Sequence, residues 1–242
     1  MIPILMYHQI GQPAPRGAYL RGATVHPRRF ASQMILLKRL GYQGLSLGEG
    51  LPYIRGEKQG KVFIITFDDG YQNVYLNARP ILNQLGFTAT NFIVTNLVGG
   101  INEWMLAKGS LEAQLMTADE ILHWRGDGHE IGSHTVDHVY LSQLSRDEQL
   151  QQLQESKHYL EGLLGETVDS FCYPFGDIDD KAIQAVKDSG YRSAVATHKG
   201  LARTDDNIFA LPRVSIIRSN HLLRFYQKAA TKLEDRRRKI YW

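Results

Sequence analysis

The chain has 242 residues and a formal net charge of +3, and 43% of its residues are hydrophobic while 22% are charged. This balance is typical of a globular protein with a large core and excludes wholesale disorder. The single cysteine excludes an intramolecular disulfide and a zinc site built on several thiolates. We find neither a membrane span of ~20 apolar residues nor the pattern of a secretory signal, so we expect a cytoplasmic protein.

Short apolar runs alternate with amphipathic segments of helical length along the whole chain. The strand candidates are residues 2–7, 61–67, 88–94, 129–134, 168–174, 191–197 and 208–216. The helix candidates are residues 27–41, a segment ending at Gly86, residues 117–126, 145–165 and 179–190, and a terminal helix. This alternation predicts a single α/β domain with a parallel sheet, formed either as a closed β/α barrel or as an open doubly wound sheet.

Two segments depart from the alternation. Residues 97–116 form a long connection, which we interpret as an insertion over a functional site. Residues 231–242 form a basic tail that includes the run from Arg236 to Lys239. A solvated helical end is the simpler interpretation of the tail, and a weak contact with an anionic membrane surface is the alternative. Nothing further in the sequence supports binding to nucleic acid.

The predicted strand 61–67 runs directly into two neighbouring carboxylates, Asp68 and Asp69, and then Gly70. Both candidate folds place their reactive groups at the carboxyl ends of strands. Two like charges this close indicate either cations around them or two separate roles. The structural alternative is an ordinary turn in which one aspartate caps the next helix.

His134 and His138 follow a second predicted strand and are four residues apart, which suits binding to a single ion. One aspartate with two histidines is the donor set of a catalytic metal with open coordination positions. We therefore expect one aspartate to bind a cation and the other to act as a base toward water. The same donor set describes non-haem iron oxygenases, which remain an alternative.

Three motifs carry a resemblance to a known family: TFDDG at 66–70, SHTVDH at 133–138 and YPFG at 173–176. In order and separation they resemble the first three motifs of the polysaccharide deacetylases, also called the NodB-homology group or carbohydrate esterase family 4. The resemblance covers about residues 60–215. It implies a distorted (β/α)7-type barrel and metal-dependent removal of N-acetyl groups from an amino sugar, glycan or glycan precursor.

The resemblance also implies site residues. Asp68 matches the catalytic base, and Asp69, His134 and His138 match the ligands of one divalent ion. Zinc is the default ion for this donor set, and Fe²⁺, Co²⁺, Ni²⁺ and Mn²⁺ are also compatible with it.

A further group of candidates would shape the substrate pocket. The YPFG loop matches the family's pocket loop, and the backbone N–H of Phe175 is expected to stabilise the developing oxyanion. Trp104, in the predicted insertion, is a candidate for stacking on a sugar ring, with simple packing as the alternative. The full group of candidates for the substrate pocket and the oxyanion is Tyr173, Pro174, Phe175, Gly176, Arg213 and Trp104.

Two departures from the family pattern matter for mechanism. Cys172 stands where the family usually carries an arginine, and a neutral thiol cannot orient an aspartate as a guanidinium does. Arg213 is the candidate to replace it, with an ion pair at the surface or core edge as the alternative.

The family's fourth and fifth motifs are not recognisable, although the departing amine needs an acid. His8, at the end of the first predicted strand, resembles the Tyr-His strand of the circularly permuted deacetylases of exopolysaccharide biosynthesis. We assign it as the general acid, against a histidine that is only hydrogen-bonded at the barrel rim. The missing motifs also leave open a degenerate carbohydrate-binding module without catalysis.

Overall fold

The computed structural model describes residues 1–106 and 108–238. Its strands are β1 (Ile4–Tyr7), β2 (Gln9–Ile10), β3 (Thr24–Val25), β4 (Gln43–Leu45), β5 (Val62–Phe67), β6 (Thr90–Ile93), β7 (Glu130–Ser133), β8 (Ser170–Cys172), β9 (Ser193–Lys199) and β10 (Leu211–Ser215). Its α-helices are α1 (Pro27–Arg39), α2 (Leu47–Ile54), α3 (Gln72–Asn77), α4 (Arg79–Leu85), α5 (Glu103–Leu106), α6 (Ala118–Gly126), α7 (Arg146–Leu164), α8 (Asp180–Asp188) and α9 (Leu222–Ala229).

Seven parallel strands close into a barrel. They follow the order β1-β10-β9-β8-β7-β6-β5, and β5 pairs again with β1 through the registers Ile4 with Ile64 and Tyr7 with Phe67. The predicted α/β fold and its distorted (β/α)7-type barrel are therefore confirmed. All carboxyl ends of these strands meet at one end of the barrel, since every pairing in the ring is parallel.

Several elements were not predicted, namely the strands β2, β3 and β4 and the helices α2 and α5. β4 pairs with the first half of β5, at Gln43 opposite Val62, and α2 follows it. The two glycines and the proline inside α2 argue against a helix on propensity alone. The signal that marks it is the capping box of Ser46 and Glu49, of the same kind that identifies α6 and α7.

The core explains why the apolar runs form strands. All six residues of β5 are buried, as are the four of β1, because helices cover the outside of the ring while side chains fill its interior. The long helix α7 buries Leu153 and Leu160 completely. None of the helices in the described part of the chain is long and apolar enough to cross a membrane.

The predicted basic tail is described only up to Arg238. The side chain of Arg238 forms an ion pair with Asp206, so it contacts the body of the protein. Lys239 and the residues after it lie outside the described residues. A membrane contact through this tail stays a prediction.

Candidate active site

The residues that the sequence singled out gather at the carboxyl end of the barrel. Side chains from the ends of β1, β5 and β7 and from the loop after β8 line a main cavity of about 530 Å³. Among the site candidates, the ones that line it are His8, Asp68, Asp69, Trp104, His134, His138, Tyr173 and Phe175. Strand ends that are far apart in sequence meet here because the barrel is parallel and closed.

Asp68 is held by Arg213 from the other side of the barrel. The guanidinium forms a bidentate pair, with Nη1 2.6 Å from Oδ1 and Nη2 2.7 Å from Oδ2. Its remaining N–H groups donate to the Ala196 carbonyl, the Thr66 hydroxyl and the Cys172 sulfur, at 2.8, 3.0 and 3.2 Å. All five donors of the arginine are therefore satisfied in a fully buried position.

This pair sets the charge of Asp68. Burial by itself would raise the pKa of the carboxyl group, but the charge and hydrogen bonds of Arg213 outweigh it and lower the pKa below its ordinary value. Arg213 does not line the cavity, since its side chain is 0% exposed behind Asp68. It was grouped with the substrate-pocket candidates and named as the arginine that replaces the one missing at Cys172. Its guanidinium contacts Asp68 and does not reach the cavity, and its role in the reaction stays a prediction.

Asp69 faces away from Arg213 and toward the two histidines. Its Oδ1 lies 3.3 Å from Nε2 of His134 and 3.2 Å from Nε2 of His138. The backbone turn that separates the two carboxylates is left-handed at Asp69, with φ of 78°, and at Gly70, with φ of 72°. A left-handed aspartate is an uncommon conformation that the surrounding structure must hold in place.

The two imidazoles are oriented by different contacts. Nδ1 of His134 lies 2.7 Å from the Cys172 carbonyl, and a carbonyl only accepts, so Nδ1 carries a hydrogen and Nε2 is the nitrogen that faces Asp69. His138 is fixed by the Thr135 hydroxyl, which accepts its backbone N–H, and by a stacked Trp104 ring 4.5 Å away. Phe175 meets the same imidazole edge-on at 4.4 Å.

The donor atoms of Asp69, His134 and His138 fit a divalent cation. They lie within 4.8 Å of one another, and all three residues are buried. One anionic oxygen and two imidazole nitrogens are a set that zinc and related ions bind, and the carbonyl behind His134 is the kind of outer partner that fixes a histidine ligand. Their role as metal ligands stays a prediction.

The YPFG loop divides into residues that line the main cavity and residues that shape the loop. Tyr173 and Phe175 line it, and the Tyr173 hydroxyl donates to the Phe209 carbonyl at 2.9 Å. Pro174 is buried, and Gly176 has a φ of 70°. A Cβ at Gly176 would lie 1.8 Å from the Thr197 hydroxyl, so only glycine fits there.

A comparison with known families settles the wider relationship. The sequence profile described as polysaccharide deacetylase matches residues 55–194, which is more than half of the chain. The chain belongs to the polysaccharide deacetylase family.

Similar proteins align with most of this chain. YxkH of Bacillus subtilis is 30% identical over 89% of this chain and 71% of its own length. The poly-beta-1,6-N-acetyl-D-glucosamine N-deacetylase of Staphylococcus epidermidis is 25% identical over 88% of this chain and 78% of its own. Among solved structures, the deacetylase PplD of Streptococcus pyogenes, in complex with acetate, has a TM-score of 0.81 and 29% identity, covering 94% of this chain and 97% of that one.

His8 also lies at the carboxyl end of the barrel. It follows β1 directly, its side chain is 33% exposed, and its Nε2 lies 4.0 Å from Oδ2 of Asp68. His8 therefore lies directly after a strand and lines the main cavity, as its position at the end of the first predicted strand suggested. Its role as the general acid stays a prediction.

Several lining residues were not predicted. Tyr71, directly after the TFDDG motif, is 2% exposed and lines the main cavity. Tyr140 stacks on Phe175 at 4.0 Å, and the Lys108 ammonium lies 4.4 Å from the centre of the Phe175 ring. Lys108 and Trp104 both come from the segment 97–116, of which Ala107 lies outside the described residues. Because Tyr71 lies next to the TFDDG motif, the sequence could have identified it as a lining residue, whereas nothing in the sequence around Tyr140 or Lys108 indicates such a position.

Proposed function

We propose that this protein is a metal-dependent deacetylase that removes N-acetyl groups from an amino sugar within a glycan or glycan precursor and releases acetate. One observation carries the proposal: Asp69, His134 and His138 converge on one point, while a second carboxylate, Asp68, lies beside them with a different partner. Hydrolysis needs both a site for the carbonyl and a base for water, and this arrangement offers each from a separate group.

The contacts support the following roles. Asp68 is the base that takes a proton from the attacking water, because Arg213 keeps it ionised and holds its orientation. His8, which lines the main cavity with its Nε2 4.0 Å from Asp68, gives a proton to the departing nitrogen. The backbone N–H of Phe175 stabilises the negative charge that develops on the carbonyl oxygen. Water attack then leaves acetate and a free amine.

Asp69, His134 and His138 would hold the ion, and zinc is our first choice for this mixed nitrogen and oxygen set. A divalent cation there would act as a Lewis acid on the acetyl carbonyl and lower the pKa of water. The Cys172 carbonyl fixes His134 by accepting from Nδ1, so Nε2 is the nitrogen that would bind the ion after losing its proton.

The substrate class is supported by the relatives. One relative is named for poly-beta-1,6-N-acetyl-D-glucosamine, and PplD is a deacetylase in complex with acetate, the product expected here. We therefore propose an N-acetylglucosamine-containing glycan as the substrate. Trp104 uses one face to stack on His138, which supports a role in packing the site over a role as a free sugar platform.

The test is acetate release from N-acetylglucosamine oligosaccharides, with and without a chelator. We expect the chelator to abolish release and added zinc to restore it. The variant Asp68→Asn should lose turnover while it still binds zinc, since Asp68 is not one of the converging donors. A binding module would be indifferent to that change, and an oxygenase would consume oxygen with a 2-oxoacid. Absence of acetate with every ion and sugar would refute the proposal.

A further inference from the structure

A second cavity of about 280 Å³ adjoins the main cavity. The two share Gln9, Tyr19 and Leu20 as common lining, so the second cavity begins where the main one ends. Its far side is formed by α3 and by residues 110–114 of the predicted insertion. The backbone N–H of Gln72 donates to the Gln114 carbonyl at 3.0 Å, which ties these two sides together.

Side-chain amides dominate the polar lining of the second cavity. Five of its lining residues carry a carboxamide: Gln9, Gln12, Gln72, Asn73 and Gln114. Each carboxamide offers both donors and an acceptor, which matches the hydroxyl groups of a sugar. The charged residues lining this cavity are Arg21 and Glu112, whose charges are opposite. The chemistry therefore suits a polar ligand without net charge.

Several of these amides are held in fixed orientations. Asn73 donates to Oε1 of Gln9 at 3.0 Å and accepts the backbone N–H of Ile10 at 3.1 Å. Gln72 donates to Glu120 at 2.9 Å. Gln12 and Gln114 are exposed side chains on the opposite edges. The wall shared with the main cavity is thus set before any ligand arrives, which lowers the entropy cost of binding.

Apolar side chains complete the second cavity. Tyr19 is 46% exposed, Leu76 57% and Leu111 53%, and all three line it. Pyranose rings present C–H faces as well as hydroxyls, and an exposed tyrosine ring next to amides offers a surface for each. Exposed apolar groups collected in one depression are a common mark of a binding site.

We propose that the second cavity binds an uncharged sugar unit next to the N-acetylated unit whose amide lies in the main cavity. This inference rests on the proposed deacetylase function and deepens it, because it makes a glycan of at least two units the preferred substrate. It also assigns a task to the insertion: residues 110–114 form one wall of the site for the neighbouring unit.

The experiment compares sugar lengths with and without the amides of the second cavity. The zinc-loaded protein is assayed for acetate release from N-acetylglucosamine and from its β-1,4-linked and β-1,6-linked di- and tetrasaccharides. We expect kcat/KM per acetyl group to rise at least about tenfold from one unit to two, as two or three new hydrogen bonds would give. The variant Gln12→Ala/Gln114→Ala should remove about tenfold on the oligosaccharides and leave the monosaccharide rate unchanged.

A matched control carries the same chemical change elsewhere. Gln151→Ala/Gln154→Ala removes two exposed amides from α7, outside both cavities, and should change no rate. Circular dichroism checks that both variants fold. Equal kcat/KM for every length, or an equal loss on monosaccharide and oligosaccharide, would overturn the second-cavity proposal while acetate release still supported the deacetylase. No acetate from any sugar would instead refute the proposed function.

Discussion

The two ends of the barrel each hold a carboxylate in a cavity, but the two carboxylates have different neighbours. At the carboxyl end, Asp69 lies within 3.3 Å of two imidazoles. At the amino end, a cavity of about 490 Å³ contains Glu130, which accepts from the Gly48 N–H at 2.8 Å and from the Thr90 and Ser170 hydroxyls at 2.7 and 2.6 Å. Glu130 is satisfied by neutral donors, so its charge serves the fold.

Backbone conformation separates the two ends in the same way. The non-glycine residues with positive φ in the described chain are Leu20, Asp69, Thr135, His138 and Phe175. Leu20 lines both the main cavity and the second cavity, and the other four belong to the TFDDG, SHTVDH and YPFG loops. Each such residue costs of order 1–3 kcal/mol, which the rest of the barrel must offset. Backbone strain and the converging candidate metal ligands occur together at the carboxyl end, and this combination identifies the reactive end better than buried charge does.

The largest expected difference between the two ends of the barrel is in how a substitution of their carboxylates affects activity and metal binding. Asp69→Asn should lower turnover and zinc affinity by more than about a hundredfold, the upper range for loss of an outer partner, because it removes a direct donor. Glu130→Gln should leave both within about twofold and lower the free energy of unfolding by about 1–2 kcal/mol, since neutral hydrogen bonds replace charged ones. Zinc titration, acetate release and urea unfolding measure these quantities.

The comparison would fail if the two variants behaved alike. A large loss of zinc binding in Glu130→Gln would mean that the amino end supports the metal site. An unchanged zinc affinity in Asp69→Asn would mean that this carboxylate is not a ligand.

A second prediction concerns the buried ion pair at the carboxyl end. Arg213→Met should lower the free energy of unfolding by about 3–5 kcal/mol, because Asp68 is only 3% exposed and would keep an uncompensated charge. Combining it with Asp68→Asn should restore part of that loss, since both charges are then absent. Urea unfolding of the double-mutant cycle gives the coupling. Additive losses would show that the pair contributes orientation without coupling in stability.

Local sequence signals predicted much of the fold. The buried runs at β1 and β5 and the capping boxes of α6 and α7 identified elements because their physics is local. The barrel and the site motifs came from the resemblance, after the strand alternation alone had left an open sheet possible. The Asp68–Arg213 pair spans 145 residues, and its geometry depends on barrel closure, which no periodicity encodes.

The second cavity lay beyond sequence prediction for a similar reason. Its amides come from the segment after β1, from α3 and from the insertion, three regions with no shared pattern in the sequence. The stacking of Trp104 on His138 also depends on how the insertion folds back over the barrel. Motifs therefore identify chemistry at strand ends, whereas the surfaces that select a substrate are formed by loops whose packing is not local.

A third prediction uses pH to sharpen the contrast. His129, beside the amino-end cavity, is 1% exposed; its Nε2 donates to Asn83 at 2.9 Å, and its Nδ1 is buried without a hydrogen-bond partner among the described residues. Burial, with a smaller contribution from Arg79, lowers its pKa to about 4. Because the folded-state pKa lies below the ordinary value near 6.5, the stabilisation is complete above pH 6.5 and is lost as the pH falls toward 4.

His129→Gln should therefore lose less stability than the parent protein between pH 6.5 and 4, by on the order of 3 kcal/mol at the acidic end. Urea unfolding at several pH values measures the difference between the two curves, which cancels the titration of other groups. Parallel curves would mean that His129 titrates normally in the folded protein.

The smallest expected effect comes from Cys172, whose side chain and backbone have separate partners. The sulfur accepts one Arg213 N–H at 3.2 Å, whereas the carbonyl accepts from His134. Cys172→Ala removes only the sulfur, a weak acceptor, so we expect turnover to stay within about threefold and stability to fall by about 1 kcal/mol. Cys172→Ser keeps an acceptor, so its turnover and stability should lie between those of the parent protein and those of Cys172→Ala. A large loss of zinc affinity in Cys172→Ala would show that the side chain, and not the carbonyl alone, orients His134.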